Sequence, residues 1–232
     1  MSWVKDTLTS SIGQKVIMSL TGLGLIIFLL VHLAGNISLL FEEGETFNRY
    51  AHFMKHNTLI KISEYGLFGM FIIHIIQGIM VSKKNSGARS QKYAVPHKNE
   101  KVNWTSKYMI HFGIIILVFL LLHLWDFFSF KYFRELDIPN ALVTYDGVEM
   151  HNLFGKVIDV YTKSPVHWII YPIAMLVLGF HLNHGFQSAF QTLGWNHKKY
   201  TPIIKGAGTV YAVVIPLVLA VIPILIKLGI TI

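Results

Sequence analysis

Four long apolar stretches of this chain each carry a histidine in their interior: His32, His74, His123 and His181. A titratable ring is costly in hydrocarbon without a partner, so an intramembrane histidine marks a functional site by default. Four such rings on four helices can form two facing pairs. Two neutral imidazoles that face each other across a bundle are what a six-coordinate haem iron requires. The pattern therefore predicts the axial ligands of two haem irons.

The stretches that carry these histidines are long enough to cross a membrane. Of the 232 residues, 53% are hydrophobic and only 14% are charged, whereas a soluble domain carries about 25% charged residues. The apolar residues form five blocks, and each reaches the ~20 residues that a bilayer core requires. We therefore predict an all-α fold, an integral membrane bundle of five transmembrane helices in which residues 1–232 form a single domain. The expected helices are 13–40, 62–82, 108–130, 167–189 and 203–228.

The chain contains no cysteine, and this limits the chemistry further. Covalent haem attachment needs a Cys-x-x-Cys-His run, and iron–sulfur clusters take thiolate ligands. Any haem is therefore expected to be non-covalent, and any cluster must belong to a partner chain. The first apolar stretch is longer than the core of a signal peptide, so we expect it to be a retained helix.

Basic residues are distributed unevenly between the two sets of loops. The loops on the amino-terminal side hold twelve of the twenty Lys and Arg and two of the twelve Asp and Glu, a net charge of +10, and the other side has a net charge of −2. The positive-inside rule places the amino terminus and the basic loops in the cytoplasm. We expect a multi-pass protein of the cytoplasmic (inner) membrane. The basic face could contact anionic lipid or an acidic soluble subunit, and charge alone does not separate these.

This orientation also predicts how the histidines pair. A helix rises 1.5 Å per residue, so the distance of a residue past the midpoint of its stretch gives its depth. His32 and His123 fall on the outer side, and His74 and His181 fall on the cytoplasmic side. We predict an outer pair, His32/His123, and an inner pair, His74/His181, roughly 10 Å apart. His184 competes with His181, because it lies three residues away on nearly the same face.

Further residues near the inner pair are candidates for haem contacts. Gly78 and Gly185 each follow an inner-pair histidine by four residues and share its helix face. A glycine there leaves room for a flat macrocycle, although small residues also let membrane helices pack closely. Haem propionates are anionic and seek basic or hydroxyl donors. The lysines among the candidate donors could instead extend to the lipid headgroups. The candidates are Ser19, Lys15, Lys83, Lys84 and His184.

At these residues the chain resembles the dihaem, five-helix cytochrome b subunit of succinate dehydrogenase and fumarate reductase. The resemblance runs from Ser10 to the last helix, and it aligns the family's axial histidine with His181. The family also pairs its ligands between the first and third and between the second and fourth helices. The segments that carry the resemblance are Ser19-Leu-Thr-Gly22 with His32 ten residues further on, Ala51-His-Phe-Met54, His123-Leu-Trp125, and Phe180-His181-x3-Gly185 running to Gly194.

The resemblance implies a role and a set of partners. Such a subunit anchors a flavoprotein subunit and an iron–sulfur subunit on the cytoplasmic face of the membrane. Electrons pass between succinate or fumarate and a quinone through FAD, iron–sulfur clusters and two haem b groups. FAD and the clusters belong to the partner subunits, so this chain is expected to hold the two haems, no active site for a soluble substrate and no nucleic-acid site. Menaquinone is the usual quinone of this class.

The resemblance places the quinone near the outer pair. Quinone reduction takes up two protons, so the site needs a proton carrier that reaches water. Glu64 and Asp126 are the nearest acids on the outer side, and Trp125 could line the pocket. The acids could instead be ordinary helix-end charges, and the tryptophan an interface anchor. Gly179 stands where some fumarate reductases carry a proton-conducting Glu, which favours succinate oxidation over fumarate reduction.

Other functions are also compatible with these features. The cytochrome b subunits of hydrogenases, nitrate reductases and formate dehydrogenases hold bis-histidine haems, but they distribute the ligands differently over their helices. A histidine-based metal or proton transporter is a second alternative, although one tetrahedral metal site needs all its ligands at one depth. A membrane anchor without haem is a third.

Overall fold

The computed structural model describes residues 6, 7, 9–41, 44–87, 104–129 and 140–230, and 86% of these residues are helical. Five of the helices are long and apolar enough to cross a membrane, which confirms the predicted number. In chain order the helices are α1 (Ser11–Ile37), α2 (Glu45–His56), α3 (Thr58–Gly87), α4 (Trp104–His123), α5 (Leu153–Lys163), α6 (Pro165–Thr192) and α7 (Thr201–Leu228). The five long, apolar helices are α1, α3, α4, α6 and α7.

The ends of the long helices follow from local sequence. The Ser10 side chain accepts a hydrogen bond from the Gly13 amide and starts α1, as expected for an N-cap. At its other end α1 continues into a 3₁₀ turn, Ser38–Leu40. Gly229, at φ +69°, ends α7 in the left-handed conformation that glycine adopts without strain. The predicted end of the third helix at Phe130 lies outside the described residues.

Four of the long helices surround a common centre, and their order positions the histidines. Around the bundle, α1 packs on α3, α3 on α4, α4 on α6, and α6 on α1. The helices that face each other across the centre are therefore α1 with α4 and α3 with α6. Helix α7 packs from outside, mainly against α6 and also against α1.

One end of the bundle carries a cap that was not predicted. It consists of α2, α5 and a two-stranded antiparallel sheet, β1 (Leu142–Tyr145) with β2 (Val148–His151). The strands meet in a two-residue turn in which Asp146 and Gly147 have φ values of +50° and +75°, the geometry of a type I′ turn. This hairpin departs from the all-α expectation.

The main hydrophobic core lies where the cap meets the bundle. The carboxyl ends of α1 and α7 and the amino end of α6 converge there. Along the rest of the bundle many large apolar side chains are exposed, as they are when lipid is the expected solvent. The buried core residues are Leu39, Leu40, Phe47, Val157, Val160, Tyr161, Tyr171, Ile222 and Ile226.

Candidate metal centres

The outer pair joins α1 to α4 across the centre of the bundle. The ring centroids of His32 and His123 lie 5.7 Å apart, with an angle of 84° between their planes. Each ring is backed by a phenylalanine from its own helix: Phe28 stacks on His32, and Phe119 stacks on His123. The structure thus brings together the two rings that were predicted to pair from their depth along the helices.

The inner pair joins the other two facing helices, α3 and α6. The ring centroids of His74 and His181 lie 6.3 Å apart, with an angle of 67° between their planes. His184, the competing ligand, is half-buried one turn further along α6. It is His181 whose ring faces that of His74.

The hydroxyl of Thr21 orients the His74 ring. Thr21 Oγ1 lies 2.8 Å from the Ile17 carbonyl oxygen and 3.2 Å from His74 Nδ1. With its single proton donated to the nearer carbonyl, the hydroxyl accepts from the ring and Nδ1 carries the imidazole proton. The lone pair of Nε2 is then free for a metal, the usual arrangement for a metal-binding histidine with an outer partner.

One glycine, Gly22, lets a neighbouring helix approach an inner ring closely, and a second, Gly113, lies at ordinary contact distance from the other ring. A Cβ added at Gly22 would lie 3.3 Å from His74 Cε1, closer than most such contacts. A Cβ at Gly113 of α4 would lie 3.8 Å from His181 Cε1. Gly22 and Thr21 both belong to the Ser19-Leu-Thr-Gly22 segment, so that segment builds the wall behind His74.

The spacing within each pair fits a metal between the rings. A ring nitrogen lies about 1 Å from its centroid and bonds a metal at about 2 Å, so two imidazoles on one metal have centroids ~6 Å apart. The observed 5.7 and 6.3 Å match this requirement. In addition, Nδ1 of His123 and Nδ1 of His181 are buried without a hydrogen bond in the described part of the chain.

The glycines near the inner pair also fit a flat group there. A Cβ at Gly185 meets nothing within 4 Å, and one at Gly78 meets only Met18 at an ordinary 3.7 Å. By contrast, a Cβ at Gly24, Gly35 or Gly208 would lie 2.5–2.6 Å from a side chain, so those glycines serve helix packing. Packing within the protein therefore does not require glycine at 78 or 185.

The contacts along α1 and α4 give a larger estimate of the distance between the two pairs than depth along the stretches does. Gly22 adjoins the inner pair and His32 follows it by ten residues on α1, which corresponds to ~15 Å along the helix. Gly113 and His123 on α4 give the same ~15 Å. The sequence-based value was roughly 10 Å. Helix α4 begins at Trp104 instead of residue 108, so His123 lies further past its midpoint than expected.

The predicted propionate donors are engaged elsewhere or lie at the surface. The buried Ser19 hydroxyl donates to the Lys15 carbonyl of its own helix, at 2.8 Å. Lys84 donates to the Thr9 carbonyl ahead of α1, at 3.1 Å, and Lys83 is exposed. No role in binding propionates follows from these contacts.

The three quinone-site candidates differ in burial. Asp126 is 8% exposed, Trp125 is 63% exposed and Glu64 is half-buried near the start of α3. The Asp126 carboxylate accepts a hydrogen bond from Tyr171 Oη at 2.8 Å and lies 3.2 Å from His167 Nε2. Its burial with two polar partners sets it apart from an ordinary charge at a helix end.

Gly179 of α6 is closed to a larger side chain. A Cβ there would lie 3.0 Å from the backbone oxygen of Ala212 in α7. A Glu at this position would therefore force α6 and α7 apart. The close approach of α7 gives a structural reason for glycine here.

Sequence reasoning missed Tyr171 as a member of the site and assigned no role to Thr21. Tyr171 offered no local signal, because its position depends on how α6 packs against α4. Among the described residues no group of three or more His, Cys, Asp or Glu converges as a metal site. Comparisons with protein-family profiles, with curated proteins and with solved structures give no match to this chain.

Proposed function

We propose that this chain is a dihaem cytochrome b, the membrane anchor and electron-transfer subunit of a succinate:quinone oxidoreductase. The observation that carries the proposal is the presence of two facing histidine pairs, at metal-spanning distance, at two levels of one apolar bundle. A bis-imidazole donor set without thiolates suits haem b, since the macrocycle supplies the remaining four ligands.

In this proposal the protein's own residues would hold and insulate the two centres. His32 and His123 would hold the outer haem, and His74 and His181 would hold the inner one. Each bound haem supplies one-electron chemistry at its iron. Thr21 fixes the tautomer of His74, and the aromatic rings beside the outer pair exclude water. With ~15 Å between the levels, the chain provides two stations along the axis of the bundle.

The asymmetric charge of the loops supports a direction for the electron path. The basic end, assigned to the cytoplasm, is the one from which a flavoprotein subunit and an iron–sulfur subunit would deliver or collect electrons. The inner pair lies toward that end, and the outer pair lies toward the cap. Menaquinone is the proposed quinone, with its site near the outer pair, where Asp126 is the buried carboxylate.

The test is a redox titration of the purified full-length protein, followed by its reduced-minus-oxidised spectrum. We expect two b-type components. His74→Ala and His181→Ala should each remove one component, and His32→Ala and His123→Ala should each remove the other, whereas His184→Ala should retain both. A colourless wild-type preparation contradicts the proposal, and so does the loss of one shared component from both His74→Ala and His32→Ala.

A second measurement tests the assignment to succinate:quinone oxidoreductases. The native complex is isolated through this chain and assayed for flavin and succinate oxidation. Copurification with a flavoprotein and an iron–sulfur protein supports the assignment. A molybdenum- or nickel-containing partner assigns the cytochrome instead to a formate dehydrogenase, nitrate reductase or hydrogenase.

A further inference from the structure

The outer histidine of α4 is oriented without a hydrogen bond from the protein. In the described part of the chain His123 Nδ1 is buried and has no partner, whereas Nδ1 of His74 is bonded to Thr21. The orientation of the His123 ring must therefore come from the side chains packed around it. Phe119 and Phe127 of its own helical segment have ring centroids 5.8 and 5.3 Å away, and Tyr171 of α6 lies 6.0 Å away.

Of the three aromatic side chains packed around His123, Tyr171 is the one that comes from another helix, and its own position is fixed. It is 4% exposed, and its hydroxyl donates to Asp126 Oδ2 at 2.8 Å. Its ring also packs edge-on against Phe119, with centroids 4.8 Å apart. A ring fixed by both packing and a buried hydrogen bond is a rigid wall for its neighbour.

Asp126 belongs to the segment that directly follows His123. Residues Leu124–Phe128 form a π-helical turn, in which the helix is wider than in α4. A π turn shifts the residues after it around the helix axis, and such turns often occur at functional sites. Here Trp125 points outward, at 63% exposed, and Asp126 is turned in toward α6. A carboxylate in a membrane-spanning segment is costly, so its burial calls for a role.

We propose that Asp126 and Tyr171 are positioning residues that set the orientation of the His123 ring. Three residues are linked in turn. Asp126 follows His123 by one turn and accepts a hydrogen bond from Tyr171 across the helix interface. Tyr171 in turn packs on the His123 ring. The outer ligand is thus oriented by a hydrogen-bonded aromatic wall, and the inner His74 by a direct hydrogen bond. This inference rests on the proposed dihaem function.

The test uses the haem-loaded full-length chain in its native complex and the electron paramagnetic resonance spectrum of its ferric haems. The low-field signal of a bis-histidine haem depends on the angle between its two axial ring planes, so it reports ring orientation directly. Tyr171→Phe removes the hydroxyl and keeps the ring, and Asp126→Ala removes the acceptor. Tyr161→Phe is the matched control. Tyr161 is buried in the same core. Burial raises the pKa of its hydroxyl, and the charge of the nearby Asp126 raises it further, so the hydroxyl stays neutral.

We expect Tyr171→Phe and Asp126→Ala to shift the signal of the outer haem and to leave that of the inner haem in place. The double variant should shift it no further than Tyr171→Phe alone, because Asp126 acts through Tyr171. Tyr161→Phe should leave both signals unchanged. Retention of the inner signal shows in each variant that the bundle has folded.

The inference is overturned if Tyr171→Phe leaves the outer signal unmoved, or if Asp126→Ala still shifts it in the Tyr171→Phe background. Both outcomes leave two haems bound, so they do not touch the proposed function. Failure of the function itself would appear earlier, as an absence of haem signals from the wild-type complex.

Discussion

His74 and His123 hold corresponding places in the two histidine pairs, yet different kinds of interaction fix their rings. The ring of His74 donates to a hydroxyl on α1, while the ring of His123 is surrounded by aromatic side chains. A hydrogen bond fixes both the tautomer and the plane of an imidazole, whereas packing fixes the plane alone. We therefore expect substitutions near the two rings to have separable effects.

Replacement of Thr21 by Val tests the role of the hydroxyl. Val has nearly the shape of Thr but cannot accept the proton of His74 Nδ1, so the ring loses one hydrogen-bond partner and keeps the Met18 backbone as the other. Loss of a hydrogen-bond partner of a metal ligand typically lowers the affinity of the site for its metal about 10–100-fold. In the experiment, an apoprotein that competes for haem is added to Thr21→Val, and the haem that remains on the variant is measured. We expect the inner b-type component to be lost first. Thr21→Ser keeps the hydroxyl and should behave as wild type. Equal haem retention in Thr21→Val and Thr21→Ser would show that the hydroxyl has no such role.

At the scale of helices and turns, the five apolar blocks were sufficient to predict the long helices. Each block exceeds the length that a bilayer requires, so its helical state follows from the need to satisfy backbone groups in lipid. No local pattern predicts the π turn at Leu124–Phe128, and the contact of its Asp126 with Tyr171 lies between two helices. The order of packing around the bundle also lies outside what periodicity within one helix can indicate.

The hairpin of the cap, in contrast, had a local signal. Asp146-Gly147 between two residues of strand-forming type is a common two-residue hairpin turn, and the structure has both residues at positive φ. The buried Asn48, 1% exposed, then holds the cap together. It donates to Asn152 Oδ1 and accepts from the Phe154 amide. That network joins α2 to the start of α5 across about a hundred residues, and no sequence pattern reports it.

The position of Gly185 on α6 gives a test of the space beside the inner pair. An added side chain meets no protein atom there within 4 Å of Cβ, and the same is true at Gly206 on α7. Replacing a helical glycine by leucine favours the helix by about 0.5–1 kcal/mol, so neither change should unfold the bundle. We expect Gly185→Leu to lose the inner b-type component and Gly206→Leu to keep both components, as read from the difference spectrum. An unaltered inner component in Gly185→Leu would mean that no macrocycle uses that space.

At the scale of the whole molecule, the histidine pairing depends on the helices being arranged as a four-membered ring. Because α1 neighbours α3 and α6, the only helix of this ring that it can face across the centre is α4. The same order leaves α3 to face α6. Depth along each stretch led to the same partners without knowledge of this order, since antiparallel helices place residues past their midpoints at alternate ends. The depth rule was less accurate for the distance between the levels, which depends on where each helix begins.

The orientation of the molecule in its membrane is the remaining feature that the charge pattern predicts. The absence of native cysteine allows a direct measurement, since each introduced cysteine is the only thiol in the chain. Lys199 lies exposed between α6 and α7 at the basic end, and Glu149 lies exposed on β2 of the cap. With twelve of the twenty Lys and Arg at the basic end, that end should face the cytoplasm.

A membrane-impermeant maleimide should then label Glu149→Cys in intact cells and Lys199→Cys only after the membrane is opened. Both variants lie far from the histidine pairs, so both should retain the wild-type spectrum. The reverse labelling pattern would place the cap in the cytoplasm and the inner pair at the outer level, and the proposed docking of soluble subunits near His74 and His181 would then be wrong.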